Sequence, residues 1–371
     1  MRILIAPNAY KGSLDAVAAA DAIAAGLAAS PLVHSAQCHP IADGGDGTAA
    51  LLVRHLCGET VMVATHDPLG RSIRAPLGMA NAGRTALLGI ADASGLHLLG
   101  AGELDPLNAN SFGTGELVRH AFDRGARNIL LGLGGSATVD GGAGILAALG
   151  ARFLDGSGDP LPPHPARLVD LAAIDLSAVP PVDITLLCDV LNPLLGSDGA
   201  AAVFGPQKGA SPQDVARLEA GLARLAAVIR DQTGLDVRAM PRGGAAGGVA
   251  AVLHALAGAR IVSGIDHFLD VTGFDRALAD VDLVITGEGA IDSQTLSGKA
   301  PHGVAVRAKA RGLPVVALAG QVPLEPEAAL LACFDVLLAI GQGPVSLAQA
   351  LADTKTNLKR SARMVGTLLS R

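Results

Sequence analysis

Short apolar runs alternate with longer stretches of helical period at both ends of this chain. From the N-terminus, "RILIAP" reads as a strand, "SLDAVAAADAIAAGLAAS" as a helix, "HSAQCHPIA" as a second strand, and "GTAALLVRHLC" as a helix that follows a glycine-rich turn. The C-terminal part repeats the rhythm with strand "DLVITGEG", helix "GVAVRAKARG", strand "PVVALAG", helix "EPEAALLACF", strand "DVLLAI" and a final long helix through "VSLAQALADTKTNLKRSARMVGTLLS". Strands that alternate with helices in this way predict a parallel sheet. Residues 1–66 and 281–371 are therefore expected to build one α/β domain from both chain ends.

The texture changes between them. "ETVMVATHDPLGRSIRAPLGMANAGRTALLGIADASG" gives three short strands broken by Pro-Leu-Gly and Asn-Ala-Gly turns, a pattern of antiparallel hairpins. A helix begun at "GTGELVRHAFDRG", the strand "NILLGLGG", the Pro-rich loop "DPLPPHPARL", the strand "DITLLCDV" and the helix "SPQDVARLEAGLARLAAVIRDQTG" follow, the last started by Ser211-Pro212. An inserted α/β domain with mixed strands is expected over 67–280, with the active cleft between the two domains. A length of 371 residues suits two domains, each with its own core.

Composition narrows the class. Trp is absent and there is one Tyr, so the core must be built from Leu, Val, Ile and Ala. A net charge of -6 leaves no broad basic surface, which argues against a nucleic-acid partner. The N-terminal apolar run stops at Pro7 and reads as a first strand rather than a secretory leader, and "GGVAAVLHALAGARIVSG" is interrupted by His254 and Arg260 and reads as a buried helix and strand. No membrane partner and a cytoplasmic location are expected. Cys38, Cys57, Cys188 and Cys333 are too scattered for a zinc site or a disulfide framework.

Loops that leave the C-terminal ends of parallel strands line ligand crevices, and four polar segments are expected there. In "PNAYKGSL", Lys11 could hold an anion at a helix start, or be solvated while Ser13 caps the helix. "ADGGDGT" is either a plain turn or a cradle in which glycine amides and Asp43 or Asp46 meet a ligand, with Asp46 the alternative helix cap. "GLGGSATVDGGAG" offers Gly134, Gly135, Ser136 and Thr138 to phosphates and Asp140 to a metal or hydroxyl; its start also matches a loose dinucleotide pattern with Asp155 downstream, which would make an NAD-dependent oxidoreductase. The fourth, "DLVITGEGAIDSQTLSGKAPHG", carries Glu288, Asp292 and Lys299, but Ser293 and Ala300 exclude a P-loop. Two further pieces are "CDVLNPLLG", with Asp189 as a base or metal ligand beside Asn192, and "VFGPQKGA", with Gln207 and Lys208 in a Gly-Pro loop.

These segments, together with "GTGEL" and "GAAGG" and in this order, resemble the bacterial glycerate kinase family, the class of the glyoxylate- and galactarate-pathway enzymes. The resemblance runs nearly the whole chain. It implies a flavodoxin-like domain formed by both chain ends, an inserted second α/β domain, and ATP-dependent phosphorylation of D-glycerate, usually to 2-phosphoglycerate, by a monomer or homodimer. Phosphoryl transfer needs a charge clamp, Mg2+ and an oriented hydroxyl. On this resemblance Lys11, Asp43, Asp189 and Asp292 are the catalytic candidates. Gly134, Gly135, Ser136, Thr138, Glu288 and Lys299 are those for ATP; Ser13, Gly44, Gly45 and Asn192 those for substrate; Asp140 and Asp189 those for the metal. Two positions depart from the family's usual pattern: Asn8 where Asp is usual, and Val139 where Asn is common. Asn8 cannot accept a proton as a carboxylate does, and a silent sugar-acid sensor on the same fold is the reading that this departure would favour.

Overall fold

The computed structural model describes residues 1–371, the side chain of Ser297 excepted. Its strands, in chain order, are β1 (Arg2–Pro7), β2 (Ser35–Cys38), β3 (Glu59–His66), β4 (Ser72–Ala80), β5 (Thr85–Gly89), β6 (Asn128–Gly132), β7 (Arg152–Leu154), β8 (Pro160–Leu161), β9 (Ala173–Asp175), β10 (Asp183–Leu187), β11 (Arg260–Val262), β12 (Leu283–Ala290), β13 (Val315–Gln321) and β14 (Val336–Ala339). The chain divides into two compact units, Met1–Asp43 with Ile265–Arg371, and Gly44–Gly264. These limits differ from the 66/67 and 280/281 read from the sequence. The helix Thr48–His55 packs on β4 and β5, and β3 pairs antiparallel with β4, so both belong with the second unit.

The first unit holds a five-stranded sheet in the order β14-β13-β12-β1-β2, parallel throughout. Renumbered along this unit alone the order is 2-1-3-4-5, the flavodoxin-like arrangement, whose topological switch point lies between β1 and β12. The alternation expected from sequence is thus realised. Asp15 starts the helix Ala16–Ala28 by accepting from the Ala18 amide at 2.7 Å; a cap of this kind stabilises by about 1 kcal/mol. Ile23 and Leu27 of that helix pack with Ile3 and Ile5 of β1 and with Leu358 of the helix Thr354–Leu369. Each such side chain contributes roughly 1.5–3 kcal/mol by leaving water. The single terminal helix expected from sequence is two, Leu347–Ala352 and Thr354–Leu369.

The second unit contains a six-stranded sheet, β11-β10-β6-β5-β4-β3, in which β5, β6, β10 and β11 run parallel and β3 and β4 antiparallel. The hairpin strands read from 59–95 are β3, β4 and β5. A small antiparallel sheet, β8-β7-β9, includes part of the Pro-rich stretch expected as loop. The helix Pro212–Thr233 opens with Ser211 and Asp214 capping reciprocally and Pro212 at its first position, and closes on left-handed Gly234. Leu218, Leu222 and Leu225 of that helix, one face at three- and four-residue spacing, join Val249, Val252 and Leu253 in the core. Among the described residues no helix is long and apolar enough to cross a membrane.

Candidate active site

In the first unit polar and titratable side chains gather at the switch point. Asn8 follows β1, and Glu288 lies near the C-terminal end of β12. Asn8 donates from Nδ2 to Asp43 Oδ2 at 3.2 Å; an aspartate at position 8 would instead set two carboxylates against each other. Glu288 is only 7 % exposed, and Thr295 Oγ1 donates to its Oε1 at 3.3 Å. Burial pushes this carboxyl up to about 7, against the pull of the Lys299 ammonium and with help from Asp43 and Asp292. A glutamate that exchanges its proton near neutral pH is suited to acid–base work.

The other sequence candidates of this unit have definite places. Asp292 caps the turn Ser293–Ser297, accepting from the Gln294 amide at 2.9 Å while its own amide donates to Thr295 Oγ1 at 3.1 Å. Lys299 occupies the N-cap of the helix Ala300–Lys309, with Pro301 at its start. Lys11 is exposed. Ser13 is tied down, donating to the Leu351 carbonyl at 2.5 Å; Asp15, not Ser13, caps the following helix.

The second unit brings two glycine turns together by backbone alone. The Gly134 amide donates to the Gly44 carbonyl at 3.0 Å. A Cβ on Gly132 would sit 2.8 Å from Gly44 O, one on Gly134 would sit 2.5 Å from Gly45 Cα, and one on Gly44, whose φ is +96°, would sit 2.7 Å from Leu187 O. These are distances that only glycine tolerates. Thr48 Oγ1 closes the first turn, accepting from the Gly44 amide and donating to the Gly45 carbonyl. The helix Thr48–His55 has Gly47 at its N-cap with no side-chain bond, so Asp46 is not its cap; it is exposed.

The other candidates of this unit also have definite places. Asp140 is fully buried and accepts from the Ser111 amide at 2.8 Å, Ser111 Oγ at 2.7 Å, the Gly142 amide at 3.0 Å and the Gly144 amide at 3.1 Å. A carboxylate so filled anchors the loop. Ser136 and Thr138 turn inward: the Ser136 hydroxyl meets Lys208, and Thr138 is fully buried, its Oγ1 without a hydrogen-bond partner among the described residues. Asp189 Oδ1 accepts from the Gly264 amide at 2.8 Å, where the chain leaves this unit. Asn192 Nδ2 donates to the Asp198 carbonyl at 2.8 Å and so braces its own loop. Asp155 sits in a turn, accepting from the Ser157 and Asp159 amides, and the glycine turn runs on to Asp140 before the helix Ala143–Ala148 begins, so the dinucleotide pattern is not realised. Lys208 is the functional candidate whose burial the sequence conceals; its flanking Gly205-Pro206 and Gly209 are the only hint.

Comparison with known proteins agrees with the motif order. Residues 3–370 match the glycerate kinase family. The glycerate kinase of Halalkalibacterium halodurans is 40% identical over 372 residues, 99% of this chain and 98% of its own. The glycerate 2-kinase of Escherichia coli is 40% identical, covering 100% of this chain and 98% of its own. The crystal structure of a chain assigned as glycerate kinase 2 from Salmonella typhimurium LT2 superposes with a TM-score of 0.85 at 42% identity, covering 100% of this chain and 98% of that one. The chain is an enzyme, and it belongs to the glycerate kinase family.

Proposed function

We propose that this kinase transfers the terminal phosphoryl group of ATP to the 2-hydroxyl of D-glycerate. The observation that carries the acid–base half of this reading is Glu288, a buried carboxyl that titrates near neutrality at the switch point of the parallel sheet. As its carboxylate it takes the hydroxyl proton while the oxygen attacks phosphorus; the new P–O bond forms as the bond to the leaving phosphate oxygen breaks. Lys299, close enough to pull on Glu288, balances charge on the transferred group. The exposed Lys11 meets the substrate carboxylate. Phosphates meet the backbone amides of Gly135 and Ser136, since that of Gly134 is engaged by Gly44 and that of Ala137 by Ser94.

ATP and magnesium fit these donors. Among the described residues no group of three His, Cys, Asp or Glu side chains forms a closed metal cage, and magnesium characteristically takes one or two carboxylates and completes its shell with water and phosphate. Asp43 and Asp292, both half-buried, are the residues that would hold it. Bound there, it would offset the charge of the phosphates. The choice of the 2-hydroxyl follows the E. coli relative, which is named a glycerate 2-kinase. Phosphorus NMR of a mixture of enzyme, D-glycerate, ATP and magnesium tests the whole reading. ADP with a 2-phosphoglycerate resonance is expected; 3-phosphoglycerate would overturn the regiochemistry, and the absence of any phosphoglycerate would overturn the activity.

A further inference from the structure

Among the described residues Lys208 is the only buried lysine, at 3 % exposure. It ends a single 3-10 turn, Pro206–Lys208, that Pro206 opens and left-handed Gly209 closes. Its Nζ donates to Ser136 Oγ at 2.9 Å and to the Thr138 carbonyl at 2.6 Å. An ammonium taken out of water costs several kcal/mol unless its protons find acceptors, and here both acceptors come from one loop. The titratable group that faces it is Asp140, itself filled by Ser111 and the amides of its own turn. Burial brings the ammonium down to about 7 and Asp140 opposes that fall.

The same carbonyl is blocked from another direction. Ala246, Gly247 and Gly248 all have left-handed backbone, an arc inside what would otherwise be the start of a helix. A Cβ on Gly247 would lie 2.1 Å from Thr138 O, and the Gly141 amide donates to Gly247 O at 3.0 Å. Thr138 O is therefore confined between a cation and a backbone arc. Peptide planarity then aims the Val139 N–H away from Lys208 and fixes the plane of that peptide. The "GPQKG" and "GAAGG" segments, which the reaction chemistry does not otherwise use, converge on this one loop.

We propose that Lys208 is a positioning residue for phosphoryl transfer: its ammonium holds the Ser136–Thr138 segment from within, so that the Gly135 and Ser136 amides keep the direction in which they meet the nucleotide. This rests on reading that turn as the phosphate contact, and the two ideas fail separately. Hydrogen exchange of the wild-type enzyme tests the turn: MgATP is expected to slow exchange across residues 134–138, and unchanged exchange overturns the reading of the turn. Steady-state kinetics of Lys208→Met tests the lysine. The expected result is a KM for ATP raised about tenfold or more, with the KM for glycerate within about twofold. Lys208→Gln, which keeps a neutral donor, should fall between wild type and Lys208→Met. If the wild-type turn is protected by MgATP and Lys208→Met binds ATP as wild type does, the positioning role is overturned. Should Lys208→Met not fold, Lys208→Gln decides alone: a KM for ATP equal to wild type overturns the proposal, and a selective rise supports it.

Discussion

The two units present different kinds of matter at their candidate residues. In the first they are side chains: Asn8, Asp43 and Glu288 stand at or just beyond the ends of parallel strands, Lys299 starts a helix, and they interact through charge and hydrogen bonds. In the second, the surfaces of the two turns are backbone, packed so closely at Gly44, Gly132 and Gly134 that no side chain fits, with Lys208 bonded to the loop from inside. The difference teaches where change is survivable. At these positions of the first unit charge is expected to be alterable with the fold intact, whereas the glycine contacts of the second leave no room for a side chain.

That contrast is open to direct attack. The largest effect is expected from Glu288→Gln, which should lower kcat by about 10²–10⁴-fold. In the wild type kcat should rise with pH through about 7, as the carboxylate forms, and this limb should vanish in the variant. Stability gives the sign from the other side. The folded carboxyl holds its proton up to about 7 and the unfolded one only to about 4.5, so wild-type stability should fall as pH rises across that window and that of Glu288→Gln should not. A wild-type kcat flat between pH 5 and 8 would break the assignment.

Next comes Lys299→Ala, for which kcat/KM should fall by about 10²-fold, with an unchanged circular dichroism spectrum. Because Lys299 pulls the Glu288 carboxyl down, its loss should also move the kcat limb to higher pH; a limb that stays in place would separate the two residues. In the second unit Gly44→Ala should lower stability rather than chemistry, by about 2–3 kcal/mol, since its φ of +96° and the nearby Leu187 carbonyl both resist a Cβ. Thermal unfolding reads this, and a midpoint equal to wild type would mean the turns are looser than the contact implies. The smallest effect belongs to Thr138→Val. The hydroxyl is buried and unpaired among the described residues, so replacing it should change stability by less than about 1 kcal/mol and leave the KM for ATP within about twofold.

Much of this was legible in the sequence, and the failures have physical causes. The parallel unit could be read because strands such as "RILIAP" and "PVVALAG" are short, largely apolar runs that alternate with longer helical stretches, and packing did not override them. The strands β7, β8 and β9 were not readable, being two or three residues long and too short to show a period. Nor was the left-handed arc at 246–248: "GAAGG" suits a helix as well as a turn, and only contact with Thr138 decides. The partner of Asp140 was not readable either, because spacing along the chain says nothing of Ser111, which reaches it from the start of another helix. Lys208 was hidden because lysines ordinarily stay in water.

Backbone packed on backbone also limits how this enzyme can change over generations. Where a bulky side chain meets another, a mutation on one side can be rescued by a smaller residue opposite. Where Gly132 meets Gly44 and Gly134 meets Gly45 neither partner has anything left to give up, so no compensating pair exists and these positions are expected to resist drift. On the proposed function, altered substrate range is expected to be acquired at polar positions of the first unit, and a library aimed at a new acid acceptor is best spent on Lys11 and Asn8 with both glycine turns left untouched.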